Sequence, residues 1–153
     1  MRRFTLLLLL AVGCRSAGVG TPSAGSKSPG AASQTVAIDR FIAAGNAQDV
    51  QALLAAWGDE NGSRRDHETT AAERAEDERN AIILICHLKN TTHQIQDSKP
   101  GAGGRTFYDV DMTQGTAHAR VRFTVAETPS RQYFVADFDV VTMQHAGFCS
   151  NKK

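Results

Sequence analysis

The side chains of this sequence that could do chemistry are few and scattered. Asp66-His67-Glu68 sets an imidazole between two carboxylates, the residue types that hold a divalent cation or pass a proton. Three consecutive polar residues in a loop usually face water, however, and no fourth ligand accompanies them. His87 closes an apolar run, where an imidazole either titrates inside a cavity or donates to the last carbonyls of a helix. His93 and His145 have no evident partner in the sequence. The loop Pro100-Gly101-Ala102-Gly103-Gly104 is glycine-rich, but it precedes a strand and no Lys-Ser or Lys-Thr follows, so it lacks the parts of a phosphate cradle. No catalytic residue, metal ligand or cofactor is assigned on these residues. With 17 basic against 16 acidic residues, 7% aromatics and no basic run, nothing in the chain could track a nucleic acid backbone.

The three cysteines carry the clearest signals. Arg2 and Arg3 precede an apolar stretch over residues 4–12, too short to span a bilayer as a stable helix, and Gly13 then precedes Cys14. Residues 1–13 thus read as a secretory signal. The run Leu10-Ala11-Val12-Gly13-Cys14 resembles the lipobox of bacterial lipoproteins, with Ala11 where leucine is usual. That resemblance implies cleavage after residue 13, a diacylated Cys14 as the mature N-terminus, and membrane attachment that more than one acyl chain makes stable. Cleavage by ordinary signal peptidase is the alternative. Arg15 stands where a retention signal of the enterobacterial kind would place aspartate, so by resemblance the destination is the outer membrane, facing the periplasm. Loss of Arg2 and Arg3 takes the formal charge from +1 to −1, which implies no electrostatic partner.

Export leaves Cys86 and Cys149 as an even pair in an oxidising compartment, and a disulfide is the economical reading. The bond would pin the C-terminus across the helix that holds Cys86 and contribute about 4 kcal/mol by loop entropy. Two free buried thiols are the alternative. A metal held by Cys86, His87 and Cys149 is disfavoured, because adjacent helix residues point about 100° apart.

The elements that position these residues follow from periodicity. Residues 14–34 form the lipidated cysteine and a flexible linker, in which Val19 is the one sizeable apolar side chain. A coil of that length reaches about 25 Å. One domain then covers residues 35–151, a size that suits a 153-residue chain with 41% hydrophobic residues. Thr35 caps a helix carrying Ile38, Phe41 and Ile42, and Gly45-Asn46 reads as its stop. Asp49 opens a second helix with the stripe Val50, Leu53, Leu54 and Trp57, ended by Gly58. Residues 59–68 read as a polar loop. Thr70 and Glu73 form a capping box for a third helix, whose second half, residues 82–88, is apolar nearly all round and therefore expected to be buried.

After Lys89 the pattern alternates, with a weak strand over residues 92–96 and three stronger ones. A turn at Gln114-Gly115 predicts the pairs Asp111 with His118, Asp109 with Arg120 and Tyr108 with Val121. A four-residue turn over 128–131 predicts Arg120 opposite Asp139, Val121 opposite Phe138 and Phe123 opposite Ala136. The inner face is then Tyr108, Val110, Met112, Ala117, Ala119, Val121, Phe123, Phe134, Ala136, Phe138 and Val140. Asp109, Asp111, Asp137 and Asp139 face outward with His118, Arg120 and Arg122. A bulge near Ala136-Asp137 would instead turn Tyr133 and Val135 inward.

Helices followed by such a sheet make an α+β fold. The segments Phe41-Ile42-Ala43-Ala44, Asp49-Val50-Gln51-Ala52-Leu53 with Trp57, and Tyr133 through Val140 resemble the nuclear transport factor 2-like family, which includes ketosteroid isomerases and polyketide cyclases. The resemblance implies N-terminal helices packed on a curved antiparallel sheet, a cone whose cavity residues would include Trp57, His87, Tyr108, Val121 and Phe138. Because the inward face carries only Tyr108 as a polar handle, the leading expectation is a non-catalytic domain for an apolar small ligand or an envelope protein. A structural or assembly lipoprotein with a filled core is the second reading. An isomerase- or cyclase-like enzyme using Tyr108 with Asp137 or His87 is the third. The expected partners are the membrane, through the lipid anchor, then an apolar ligand or envelope protein, with a homodimer also open.

Overall fold

The computed structural model describes residues 27–67 and 70–150. The expected signal, Cys14 and most of the linker lie outside the described residues. Within them the chain is an α+β structure in which helices accompany a four-stranded antiparallel sheet. Among the described residues no helix is long and apolar enough to cross a membrane.

Helix α1 spans Gln34–Ala47. Its cap is Ser33 and not Thr35, because the Ser33 hydroxyl accepts the Val36 amide while Ser33 itself stays extended. The helix also runs through Gly45-Asn46 and closes only at Gln48, which takes the left-handed conformation at φ 57°. Gly45 is a contact and not a stop: a Cβ there would overlap the Leu88 side chain. Asn46 ties the helix end to the sheet by donating to the Thr91 carbonyl at 3.0 Å and accepting the Thr91 amide at 2.9 Å. Helix α2, Val50–Ala56, is capped by Asp49 and buries Leu53 and Leu54. Trp57 then leaves the helix in an extended conformation.

The polar segment after Trp57 is more ordered than a loop. Strands β1 (Gly58–Asp59) and β2 (Gly62–Ser63) pair across a tight turn in which Asp59 accepts the Asn61 amide and Gly62 adopts φ 125°, a value that favours glycine. A 3-10 turn, Arg64–Asp66, follows. Helix α3, Ala71–Leu88, begins with the Thr70–Glu73 capping box in both directions. Its second half is not buried all round, since Ile82 and Ile83 are 59% and 57% exposed. Only the stripe Ala81, Ile85 and Leu88, with His87, turns inward, because one flank alone meets the core.

The sheet order is β3 (Thr91–Pro100), β4 (Thr106–Gln114), β5 (Ala117–Glu127), β6 (Tyr133–Phe138). The β4–β5 turn is Gly115-Thr116, one residue later than expected, so Tyr108 faces Phe123, Asp109 faces Arg122, Val110 faces Val121, Asp111 faces Arg120 and Thr113 faces His118. Gln114 stays in the strand because its side chain is held: Nε2 donates to the carbonyls of Cys86, His87 and Lys89, and Oε1 accepts the Cys149 amide. Gly115 supplies the positive φ of 60° that the turn needs. Each partner moves by two residues, so the inward and outward faces survive the change.

Between β5 and β6 the register shifts between Thr124 and Val125, which face Asp137 and Val135 and leave Ala136 as the extra residue. This is the bulge at Ala136; the turn before it is also one residue longer than expected, since Glu127 faces Tyr133, and the two shifts together set Phe123 opposite Phe138 and not Ala136. Val135 joins the core with Tyr133 packed against it, while Ala136 is only half-buried. Phe134 is buried too, but beneath Gly30, where a Cβ would strike its ring. The strand stops at Phe138: Asp139 leaves the Arg120 register, caps helix α4 (Val140–His145) by accepting the Thr142 amide, and so places Val140 in a helix.

Residues 28–33 of the expected tether join the fold. Ala31 exchanges both backbone bonds with Tyr133, at 3.0 and 3.1 Å, and so covers the free edge of β6. Between α1 and the sheet, Phe41 meets Phe123 and Phe138 edge-on, with ring centroids 6.4 and 5.3 Å away, and Phe123 stacks on Phe138 at 5.3 Å. Ile38, Ile42, Leu53, Leu88, Met112, Val121 and Met143 are all fully buried around them.

Candidate functional site

The side chains that the sequence nominated for a cavity do not surround one. Val121 is fully buried in the core. Tyr108 is 9% exposed and its hydroxyl donates to Gln34 Oε1 at 2.6 Å, with burial pushing its pKa up. His87 is buried with Nδ1 3.1 Å from the Ile83 carbonyl one helical turn back, the backbone role open to an imidazole there. Trp57 and Phe138 do come together, beside Ile83, Leu84 and Val140, at a small depression of about 190 Å³. Trp57 Nε1 donates to the Ala136 carbonyl at 3.3 Å, and the Arg64 guanidinium lies 4.1 Å above its ring.

Cys86 and Cys149 form a disulfide, with Cα atoms 5.1 Å apart, that joins α3 to the C-terminal end. Asp66 and His67 face different neighbours. Asp66 accepts the backbone amide of Ser28, and His67 Nε2 lies 3.8 Å from Asp59 Oδ1, beyond hydrogen-bond distance. Glu68 lies outside the described residues. His93 has a partner that the sequence did not disclose, Asp39 at 2.8 Å. Among the described residues no three His, Cys, Asp or Glu side chains are placed to hold a metal ion.

The carboxylates with a resolved perturbation are all held down as anions. Asp111 is lowered by the two bonds from Arg120, at 2.7 and 3.0 Å, and Asp139 by the Thr142 hydroxyl and amide. Glu60 is lowered by Arg105, which donates at 2.7 Å. Burial alone would raise Asp66, yet the Ser28 amide, the adjacent Ser28 and Ser63 hydroxyls and the Arg65 charge outweigh it, and its pKa is lowered. A general acid needs the opposite shift.

What the structure does open is a groove of about 520 Å³ on the helical side. Its floor is methyl groups. Ala37, Ala44 and Ala47 of α1 recur at spacings of seven and three, and Ala52, Ala55 and Ala56 of α2 at three and one, so both helices turn short side chains toward the same space. Phe134 and the segment Ser28-Pro29-Gly30-Ala31 close the third side. This alanine spacing was present in the sequence, but alanine is also the default helix former, so only the docked segment from Ser28 to Ala31 reveals it as a wall.

Three charged residues line the groove, and each makes one contact. Asp49 Oδ1 accepts the Ala52 amide at 2.9 Å, and Arg65 Nε lies 3.4 Å from Asp66 Oδ1. Arg40 makes one contact, Nη1 to the Gly30 carbonyl at 3.3 Å. Ser28 is 6% exposed and its amide is bonded to the Asp66 carboxylate. The arrangement can therefore take up an apolar body and meet a polar end. No protein-family model matches the chain, and no match among curated proteins was found.

Proposed function

We propose that this chain is an envelope lipoprotein, anchored to the outer membrane through Cys14, whose domain binds an apolar ligand in the α1–α2 groove and catalyses no reaction. The groove carries the reading: about 520 Å³ of open, methyl-lined space lies within the range of small-molecule sites, about 300 to 1,000 Å³. The order of elements supports the nuclear transport factor 2-like cone as the finer description of the fold, with the ligand outside the cone and not in it. The filled space around Phe41, Phe123 and Phe138 favours the second reading, a structural or assembly lipoprotein that needs no ligand. An isomerase- or cyclase-like reaction draws less support, because the Tyr108 hydroxyl is taken by Gln34 and Asp137 is exposed.

The test is native mass spectrometry of the full protein recovered from envelope fractions. An apolar adduct is expected on the wild type and is expected to vanish in the double variant Ala43→Leu, Ala55→Leu, which fills the groove from an exposed and a half-buried position outside the core. Absence of any adduct in both would leave the structural reading standing and remove this one. The same spectra read homodimer against monomer. The anchor is checked separately: a palmitate analogue is expected to label the wild type and not Cys14→Ser.

A further inference from the structure

We infer that the occupant of the groove is a single-chain fatty acid, its alkyl tail on the alanine floor and its carboxylate on Arg40. This rests on the groove being a binding site at all, and it adds the chemistry of the occupant. The floor offers methyl groups and no hydrogen-bond partner, so the body of the ligand must be hydrocarbon. Of the charged groups on the rim, Asp49 is turned to the α2 N-terminus and Arg65 to Asp66. Arg40 is the cation whose partner is neutral, a single 3.3 Å bond to the Gly30 carbonyl, so its charge is not balanced by a carboxylate among the described residues.

A guanidinium presents parallel donors that match a carboxylate, and such charge-assisted pairs are stronger than neutral bonds. The Gly30 contact also holds the fork along the Ser28 to Ala31 wall, at the rim of the groove. Arg40 and the open trough thus specify one anionic head and one tail. Fatty acid partitions into the bilayer to which Cys14 would tether the domain, so the site would meet it there at high local concentration.

The experiment uses the full-length protein in bilayer nanodiscs, photolabelled with a palmitate carrying an alkyl diazirine or with the matching alcohol, and mapped by peptide mass spectrometry. Labelling by the acid is expected within residues 28–56, competed by palmitate at about tenfold lower concentration than by palmityl alcohol or a lysophospholipid. Arg40→Gln is expected to weaken the acid about tenfold and leave the alcohol unchanged, a factor that one charge-assisted bond supplies. Equal labelling by acid and alcohol, insensitive to Arg40→Gln, would overturn the fatty acid while sparing the groove. A lysophospholipid that competes better than palmitate would do the same. Labelling by neither probe, with Ala43→Leu, Ala55→Leu indistinguishable from wild type, would overturn both.

Discussion

Helix α1 divides two apolar regions that differ in the size of their side chains. Toward β5 and β6 it presents Ile38, Phe41 and Ile42, all fully buried, and Phe41 closes on the stacked pair Phe123 and Phe138. Toward α2 and the wall from Ser28 to Ala31 it presents Ala37, Ala44 and Ala47, and about 520 Å³ stays open. Both regions are apolar, so hydrophobicity does not separate them. Reach does: aromatic and branched side chains interlock to the density of a crystal, whereas methyl groups on two helices cannot meet across the gap. Stability therefore belongs to the first region and the proposed binding to the second, and the two can be perturbed separately.

The closed region gives the largest effect. Val121 is fully buried opposite Val110, and Val121→Asp places an unpaired charge there, which is expected to cost about 4 kcal/mol or more in a denaturant melt. Its neighbour Arg120 points to water against Asp111, and Arg120→Ala is expected to leave the midpoint nearly unchanged. A larger loss at Arg120 than at Val121 would mean that the two faces of β5 are exchanged.

That parity was legible in the sequence, and the exact pairing was not. Alternation fixes which residues face inward, but it is blind to a shift of two, and here Gln114 chose the register through bonds to Cys86, His87, Lys89 and Cys149. No local pattern announces a side chain held by residues so far along the chain. The caps divide the same way. Asp49 and the Thr70–Glu73 box act within a single turn and were readable. Ser33 won over Thr35 because Gln34 is drawn into the helix, where its side chain bonds Thr106 and Tyr108. The groove was illegible for a related reason: its third wall, from Ser28 to Ala31, has the composition of a linker and becomes structure only by pairing with Tyr133.

Removal of the disulfide comes next in size. Cys86–Cys149 closes a separation of 63 residues, and Cys149→Ser is expected to cost about 2 to 4 kcal/mol. The bond joins α3 to the residue after Phe148, which is 3% exposed, so the loss belongs to the closed region and ligand labelling of the groove should persist below the melt. Loss of labelling at a temperature where the variant is still folded would couple the two regions. Smaller again is Ala43→Leu, Ala55→Leu, expected to move stability by no more than about 0.5 kcal/mol while abolishing the adduct.

The smallest expected effect is a pH dependence that reaches the open region through Asp66. This carboxylate accepts the amide of Ser28, the first residue of the groove wall, and its pKa is lowered from the ordinary 3.8 despite burial that acts the other way. A carboxyl with a lowered folded pKa stabilises the fold at pH above its unfolded value and loses that contribution as the pH falls through the folded one. The wall from Ser28 to Ala31 should then loosen only in acid, below about pH 4, and the neutral range should show no change. Asp66→Asn removes the titrating group, so the acid limb of a stability profile is expected to flatten relative to wild type. Hydrogen exchange at the Ser28 and Ala31 amides locates the effect: protection in the wild type should fall with acid at those positions and not at Val121. Parallel loss at both would place Asp66 in the stability of the whole domain, because the two sides of α1 would then be opening together.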